Sequence, residues 1–183
     1  MDNGASSYRR YLDGNEEAFE EIVREYFDSL VWFIDGYVHD ISAAEDIAID
    51  AFSDLIVHRR RYNFTVTLKT YLFMIGRSRA LNYIKRRGKI QFTPLSEAAS
   101  HQDERLGLEE SMLQDEEKKA LHRALDCLND EQREVVILVY FQELSCQEAA
   151  KVMKKSVKQI YNLLYRSKES LRTILQKEGE FRL

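Results

Sequence analysis

The chain of 183 residues contains a single proline, Pro94, and seven glycines, and neither type occurs between Leu108 and Glu178. Sandwiches and barrels rely on frequent Gly- and Pro-rich turns, so this scarcity excludes them and leaves helices. Capping side chains must then divide the helices. Asn129-Asp130-Glu131-Gln132, Ser145-Cys146-Gln147-Glu148 and Ser156-Val157-Lys158-Gln159 each place a capping residue three positions before an acid or amide. They predict a helix running through the apolar Val135–Phe141 stretch, a short one ending near Met153, and a long one continuing toward Leu175. An earlier helix over about residues 115–128 would pack on these through Leu121, Leu125 and Leu128, making a four-helix domain.

The first half reads similarly. Asn15-Glu16-Glu17 opens a segment with Phe19, Ile22, Val23, Tyr26, Phe27, Leu30 and Ile34 at helical spacing, interrupted or ended at Gly36 and His39-Asp40. Ser42-Ala43-Ala44-Glu45 has the capping-box form, with Ser42 as N-cap. The helix it starts carries Ile47, Ala51, Phe52, Leu55 and Ile56 on one face. A third helix is expected over about residues 67–87, with Leu68, Tyr71, Leu72, Ile75 and Ile84 inward and Gly88 ending it. Residues 91–117 hold Pro94 and few apolar side chains, and read as a flexible linker. The expected fold is all-α: helical domains over 1–90 and 118–183, joined by an acidic linker over 91–117.

The formal net charge of −4 conceals strong segregation. Residues 1–54 carry 14 acidic and 3 basic side chains, and residues 55–90 carry 10 basic and none acidic. Residues 91–117 hold 8 acidic and 1 basic, and residues 118–183 hold 13 basic and 9 acidic. Such blocks suit partners of opposite character, or else the first two blocks neutralise each other internally. Cys127 and Cys146 cannot build a disulfide framework and suit a reducing cytosol. The longest apolar run is far too short to span a bilayer, and the N-terminus lacks the apolar segment of a signal peptide. The expectation is a cytoplasmic protein. The four histidines, at 39, 58, 101 and 122, are scattered, and no phosphate-cradling glycine loop or nucleophile elbow is present. No catalytic residue, metal or cofactor is therefore expected.

Three constellations carry functional content. Ser145 to Lys168 has the spacing of a helix-turn-helix, with Lys154-Lys155-Ser156 as the turn. Val157, Ile160, Leu164 and Leu171 would face the core. Lys158, Gln159, Asn162, Tyr165, Arg166 and Lys168 would face outward, where amides suit adenine edges and cations suit guanine or phosphate. A plain four-helix bundle with a solvated basic face fits the same pattern. His58-Arg59-Arg60-Arg61-Tyr62-Asn63-Phe64 interleaves cations and aromatics in a loop, followed by Arg77, Arg79, Lys85, Arg86, Arg87 and Lys89. That mixture suits unstacked single-stranded bases, unless Tyr62 and Phe64 anchor the loop in the core; for Tyr71 the core role is expected. Asp46, Asp50 and Asp54 line one helix face beside Ile49, as a docking surface for a basic protein or as a merely solvated stripe.

Ala44-Glu45-Asp46-Ile47-Ala48-Ile49-Asp50-Ala51-Phe52, Leu68-Lys69-Thr70-Tyr71-Leu72-Phe73-Met74-Ile75-Gly76-Arg77 and Leu144-Ser145-Cys146-Gln147-Glu148-Ala149-Ala150 resemble, in order, three segments of one family. This is the ECF (extracytoplasmic-function) class of sigma-70 RNA polymerase sigma factors, with regions two and four only. The resemblance covers about residues 19–89 and 121–175. It implies that Asp46, Ile49 and Asp50 bind core RNA polymerase. It implies that Arg59, Arg60, Arg61, Tyr62, Asn63, Phe64, Arg77, Ser78, Asn82, Lys85 and Arg86 open the minus-ten promoter element and hold a flipped, single-stranded base. Ser156, Lys158, Gln159, Tyr161, Asn162, Tyr165 and Arg166 would read the duplex minus-thirty-five element. The linker would thread polymerase channels, and an anti-sigma factor is a further partner the family allows. Ser78, Lys154 and Tyr161 depart from the family pattern, which has Asn, Gly and a basic residue there, and so bear on promoter sequence. A stand-alone helix-turn-helix regulator, and an adaptor whose basic faces meet acidic proteins, are the competing readings.

Overall fold

A computed structural model describes residues 4–90, 125 and 127–177, with side chains to Gly88 in the first part and to Ile174 in the second. The described helices are α1 (Ala5–Leu12), α2 (Glu17–Val38), α3 (Ile41–Val57), α4 (Leu68–Ile90), α5 (Asp130–Val136), α6 (Cys146–Met153) and α7 (Val157–Lys177). The linker and Leu121 lie outside the described residues, as does most of the helix expected over 115–128. Leu125 and Leu128 are buried as expected.

In the first domain α2, α3 and α4 enclose Ile22, Leu30, Ile34, Ala48, Leu55, Leu68, Leu72 and Phe73. Gly76 sets how closely α4 approaches α2, since a Cβ there would stand 2.9 Å from Leu30 Cδ1. Several expectations are corrected. α2 continues uninterrupted through Gly36 but ends, as expected, at His39, whose left-handed φ of 52° turns the chain. The N-cap of α3 is Asp40, not Ser42. Asp40 is the first extended residue after that turn, and its carboxylate accepts the Ala43 N–H at 3.2 Å. Ser42 is already inside the helix. The buried stripe of α3 runs through Ala44, Ile47, Ala48, Ala51, Phe52 and Leu55, so Ile56, one position off it, is exposed. α4 passes Gly88 without ending, and Ile84 is exposed because no described residue of α4 beyond Ala80 is buried. The helix runs past its core.

α1 has no counterpart in the sequence reading. It is eight residues long and buries only Tyr8 and Tyr11.

In the second domain all three caps form. Asn129 accepts the Gln132 N–H at 3.0 Å, Ser145 and Glu148 make a reciprocal capping box, and so do Ser156 and Gln159. The apolar run does not stay α-helical, however. After Val136 it widens into a π-turn over Ile137–Phe141, closed by the Gln142 N–H on the Ile137 carbonyl at 2.9 Å. Ile160 and Leu164 are buried against Val135, Leu138, Ala149 and Val152, while Leu171 is half-buried. Val157, expected inward, is exposed at the helix start.

The two domains pack on each other through α4, α6 and the π-turn. Glu148, besides capping α6, accepts the Thr67 and Thr70 hydroxyls at 3.0 and 3.1 Å. Lys69 Nζ donates to the Gln142 carbonyl at 2.7 Å, and Trp32 of α2 packs at a tilt on Phe141, 5.3 Å between centroids. Arg77 Nε and Nη2 donate to the two oxygens of Glu134 at 2.6 and 3.3 Å. Their side chains are 15% and 4% exposed, so this bidentate pair is dry.

Candidate nucleic-acid interface

The basic loop between α3 and α4 is a defined structure. It leaves α3 at His58, whose N–H bonds the Asp54 carbonyl, and turns with the Arg61 N–H on the His58 carbonyl at 2.8 Å. Asn63 Oδ1 then accepts both the N–H and the hydroxyl of Thr65, a side-chain turn that brings the chain round. Phe64 adopts a φ of 60°, uncommon for a bulky residue. Thr67 Oγ1 accepts the Thr70 N–H at 3.2 Å and so caps the first turn of α4.

Of the residues expected to meet single-stranded bases, Arg59, Arg60, Arg61 and Asn63 are exposed and Phe64 is half-buried. Tyr62 is different. It is 3% exposed, and its hydroxyl donates to the Val66 carbonyl at 2.8 Å. It anchors the loop in the core, where its ring packs on Tyr71, Phe64 and Tyr8 at 5.2, 4.6 and 5.4 Å. Tyr71 is half-buried and packs against the core, the side the sequence suggested.

On α4, Ser78, Asn82, Lys85 and Arg86 are all exposed and follow helical spacing down one outward stripe. Arg77 is not on it. It faces the second domain, held by Glu134: burial works against its charge, but the Glu134 bonds prevail and raise its pKa. Arg79 also has internal partners, bonding Asp50 at 2.9 Å and Asp54 at 2.6 Å, but in a wetter setting. The first two charge blocks therefore neutralise each other in part, at Arg79 with Asp50 and Asp54. Asp46, Ile49 and Asp50 remain on the solvent side of α3, with Ile49 53% exposed.

The helix-turn-helix is made by α6, the turn over residues 154–156, and α7. Lys154 occupies the left-handed region at φ 54°, ψ 44°, where glycine would be unstrained. The turn closes with the Lys155 N–H on the Ala150 carbonyl at 2.9 Å. From there α7 presents Lys158, Gln159, Tyr161, Asn162, Tyr165 and Arg166 to solvent. Tyr161 and Tyr165 are 59% and 70% exposed, large apolar surface left uncovered one helical turn apart. Ser156 and Gln159 also hold the helix start, since the Gln159 carbonyl oxygen accepts the Ser156 N–H at 2.7 Å. On the opposite face Ser167 is buried, its hydroxyl 2.8 Å from the Leu163 carbonyl of its own helix and 3.3 Å from the Gln132 carbonyl of α5. A rigid helix with a polar, aromatic and basic outer stripe has the form that enters a major groove.

Sequence reasoning missed α1 and the contacts between domains. Tyr8 and Tyr11, three apart after Gly4, were the available signal for the first.

Two family models match the chain in sequence order. The one described as Sigma-70 region 2 covers residues 22–90, and that of Sigma-70, region 4 covers residues 118–171. The chain belongs to the sigma-70 family of sigma factors. Its relatives place it in the ECF class. This sigma factor is 25% identical over 167 residues to "RNA polymerase sigma factor YlaC" of Bacillus subtilis (strain 168), covering 91% of this chain and 96% of that one. It is 30% identical over 166 residues to "ECF RNA polymerase sigma factor BldN" of Streptomyces coelicolor, covering 88% of this chain and 62% of the relative. Its fold is similar to that of the sigma factor RpoE from Bartonella quintana, solved with the anti-sigma factor NepR. The TM-score is 0.65 at 23% identity, over 86% of this chain and 96% of that one. Among the described residues of this sigma factor, no helix is long and apolar enough to cross a membrane.

Proposed function

We propose that this RNA polymerase sigma factor divides promoter recognition and polymerase binding among three surfaces. The outer stripe of α7, from Ser156 and Lys158 through Arg166, reads duplex minus-thirty-five DNA. The loop residues Arg59, Arg60, Arg61, Asn63 and Phe64, with Ser78, Asn82, Lys85 and Arg86 on α4, engage the minus-ten element as it opens. Asp46, Ile49 and Asp50 on α3 bind core polymerase. The corresponding domains are 1–90 and 118–183, with 91–117 between them. Such work places the protein in the cytoplasm and involves no catalysis of its own. An anti-sigma factor is a further proposed partner, as the Bartonella quintana neighbour has one.

The observation that carries this reading is the separation of two solvent-facing, base-competent stripes onto two domains, with an acidic-apolar patch on a third face. Geometry adds a requirement. The two promoter elements are centred about 25 base pairs apart, or about 85 Å at 3.4 Å per pair. A compact chain of this length has a radius of gyration of about 16 Å, hence a diameter of about 40 Å. The packed arrangement cannot reach both elements at once, so the domains separate in the transcribing complex.

The test is gel filtration of the chain with core RNA polymerase, followed by transcription from a promoter library. Co-elution, lost when Asp46 and Asp50 are both replaced by Lys, is the expected result. Failure to co-elute, combined with tight sequence-specific duplex binding by the free chain, would instead favour a stand-alone regulator.

A further inference from the structure

The N-terminal helix α1 precedes residues 22–90, which the region 2 family model matches, yet its side chains contact the basic loop directly. Tyr8 is fully buried, and its hydroxyl lies 3.0 Å from the Leu55 carbonyl and 3.0 Å from that of Arg59. Leu55 belongs to the last turn of α3, where carbonyls lack helical partners. Arg59 is the second residue beyond the helix. The Tyr8 hydroxyl therefore fastens the point where the helix gives way to the loop. Burial pushes that hydroxyl's pKa up to about 12, so it stays a donor at every physiological pH.

α1 also grips the loop side chains. The Arg59 guanidinium lies 4.8 Å from the Tyr11 ring centre, and the Arg9 guanidinium lies 4.9 Å from that of Phe64. Tyr8 packs edge-on against Tyr62, at an interplanar angle of 74°. Phe64 is the loop residue with the unfavourable positive φ, and a strained residue persists only where its surroundings over-determine it. Here Arg9, Tyr8 and Tyr62 surround it. One helix thus holds the loop at its departure, through Tyr8 and Tyr11, and near its return, through Arg9.

We propose that Tyr8 and Arg9 are positioning residues for minus-ten recognition: α1 presets the 58–67 loop in the conformation that captures an unstacked base, without itself touching DNA. This rests on the loop's assignment to single-stranded DNA made above. Its physical content is preorganisation, because apparent affinity falls in proportion to the fraction of loops already in the competent shape.

The experiment uses holoenzyme reconstituted with core polymerase. The probe is a fork-junction DNA with a single-stranded minus-ten non-template segment, taken from a promoter selected by wild-type holoenzyme out of a random library. Tyr8→Phe removes only the hydroxyl, and Arg9→Ala removes the cation over Phe64 together with its aliphatic stem. The expected result is a fall of about tenfold in fork-junction affinity and in open-complex yield for the double variant. Affinity for core polymerase and for the duplex minus-thirty-five segment should stay within twofold of wild type. Equal losses in all three affinities, with a lowered thermal midpoint, would make α1 a purely structural brace and overturn the proposal. Asn63→Ala and Arg60→Ala, on the loop itself, separate the remaining failures. If they weaken the fork junction while Tyr8→Phe and Arg9→Ala do not, positioning by α1 is wrong. If none of the four does, the assignment of the loop is wrong, and the proposal falls with it.

Discussion

Glu134→Gln tests whether the packed arrangement of the two domains restrains this sigma factor. Glu134 lies in the second domain and takes both hydrogen bonds of Arg77 from the first, with both side chains nearly dry. Inside one rigid body, deleting one partner of such a pair costs about 3–5 kcal/mol, because a buried charge is stranded. Here there is an escape: the domains can part and return Arg77 to water. The cost is then capped by the free energy of opening. Loss of a hydrogen bond to a charged group is worth about 1.5–3 kcal/mol. That is about a ten- to hundredfold shift in the closed-to-open ratio. Other links, Glu148 to the two threonine hydroxyls, Lys69 to the Gln142 carbonyl and Trp32 to Phe141, stay in place, so opening is favoured without being complete. Small-angle scattering reads this directly, as growth of the radius of gyration from about 16 Å. If the open form is what polymerase binds, apparent core affinity rises by the factor the open population rises. Far-UV circular dichroism must remain that of wild type, to separate opening from unfolding. The exchanged pair, Arg77→Glu with Glu134→Arg, should recover part of the closure. An unchanged radius and an unchanged core affinity for Glu134→Gln would refute the argument.

Three further outcomes follow from single features. Asn162→Ala should cost about 1–3 kcal/mol at one promoter position and relax its base preference, whereas Lys158→Ala should weaken all sequences alike and reduce the salt slope by about 1; competition binding of the holoenzyme across promoter variants and salt concentrations separates the two. Lys154→Gly should stabilise the second domain modestly: the left-handed residue costs about 1–2 kcal/mol and glycine's added chain entropy about 0.5–1 kcal/mol, so the thermal midpoint should rise by a few degrees and not fall. Glu148 gives a pH dependence. Burial pushes its carboxyl up, but the bonds from Ser145, Thr67 and Thr70 outweigh this and hold it below the ordinary 4.5. Its folded pKa is depressed, so its stabilisation is complete above about pH 4.5 and fades as pH falls through the folded value. Glu148→Gln should therefore flatten the acid limb of a stability-versus-pH curve and leave the neutral region parallel to wild type.

What the sequence disclosed was whatever depends on neighbours three or four residues apart. The caps at Asn129, Ser145 and Ser156 are local hydrogen bonds between near residues, and each formed where the pattern put it. The buried stripes of α2 and α3 follow from period alone. Two strong caps in competition, Asp40 and Ser42, were beyond pattern. The choice is made by the left-handed turn at His39, which the one-dimensional string does not display. Tyr62 was ambiguous for a similar reason: an aromatic among arginines stacks on bases or anchors a loop according to where its hydroxyl finds a partner, and that partner is Val66. The partners of Arg77 and Lys69 lie far along the chain, in another domain, so no periodicity could report them.

Burial decides which of the segregated charges remain available. Arg79 bonds Asp50, but the Asp50 side chain is 64% exposed and that of Arg79 34%. Such a pair in water is worth about 0–1 kcal/mol, so a cation from another protein can replace Arg79 at small cost. The pair at Arg77 is chemically similar and physically opposite: both partners are desolvated, and exchanging either in place would strand a charge. Internal neutralisation of the first two charge blocks, at Arg79 with Asp50 and Asp54, is therefore weak enough at Asp50 to coexist with partner binding, whereas the Arg77–Glu134 pair joins the second block to the fourth. The acidic face of α3 stays exchangeable because it is wet, and the tie between the domains gives way only by opening. In a sigma factor built this way the acidic face of α3 stays exchangeable, while parting the domains requires the dry Arg77–Glu134 pair to break together with the Glu148, Lys69 and Trp32 contacts.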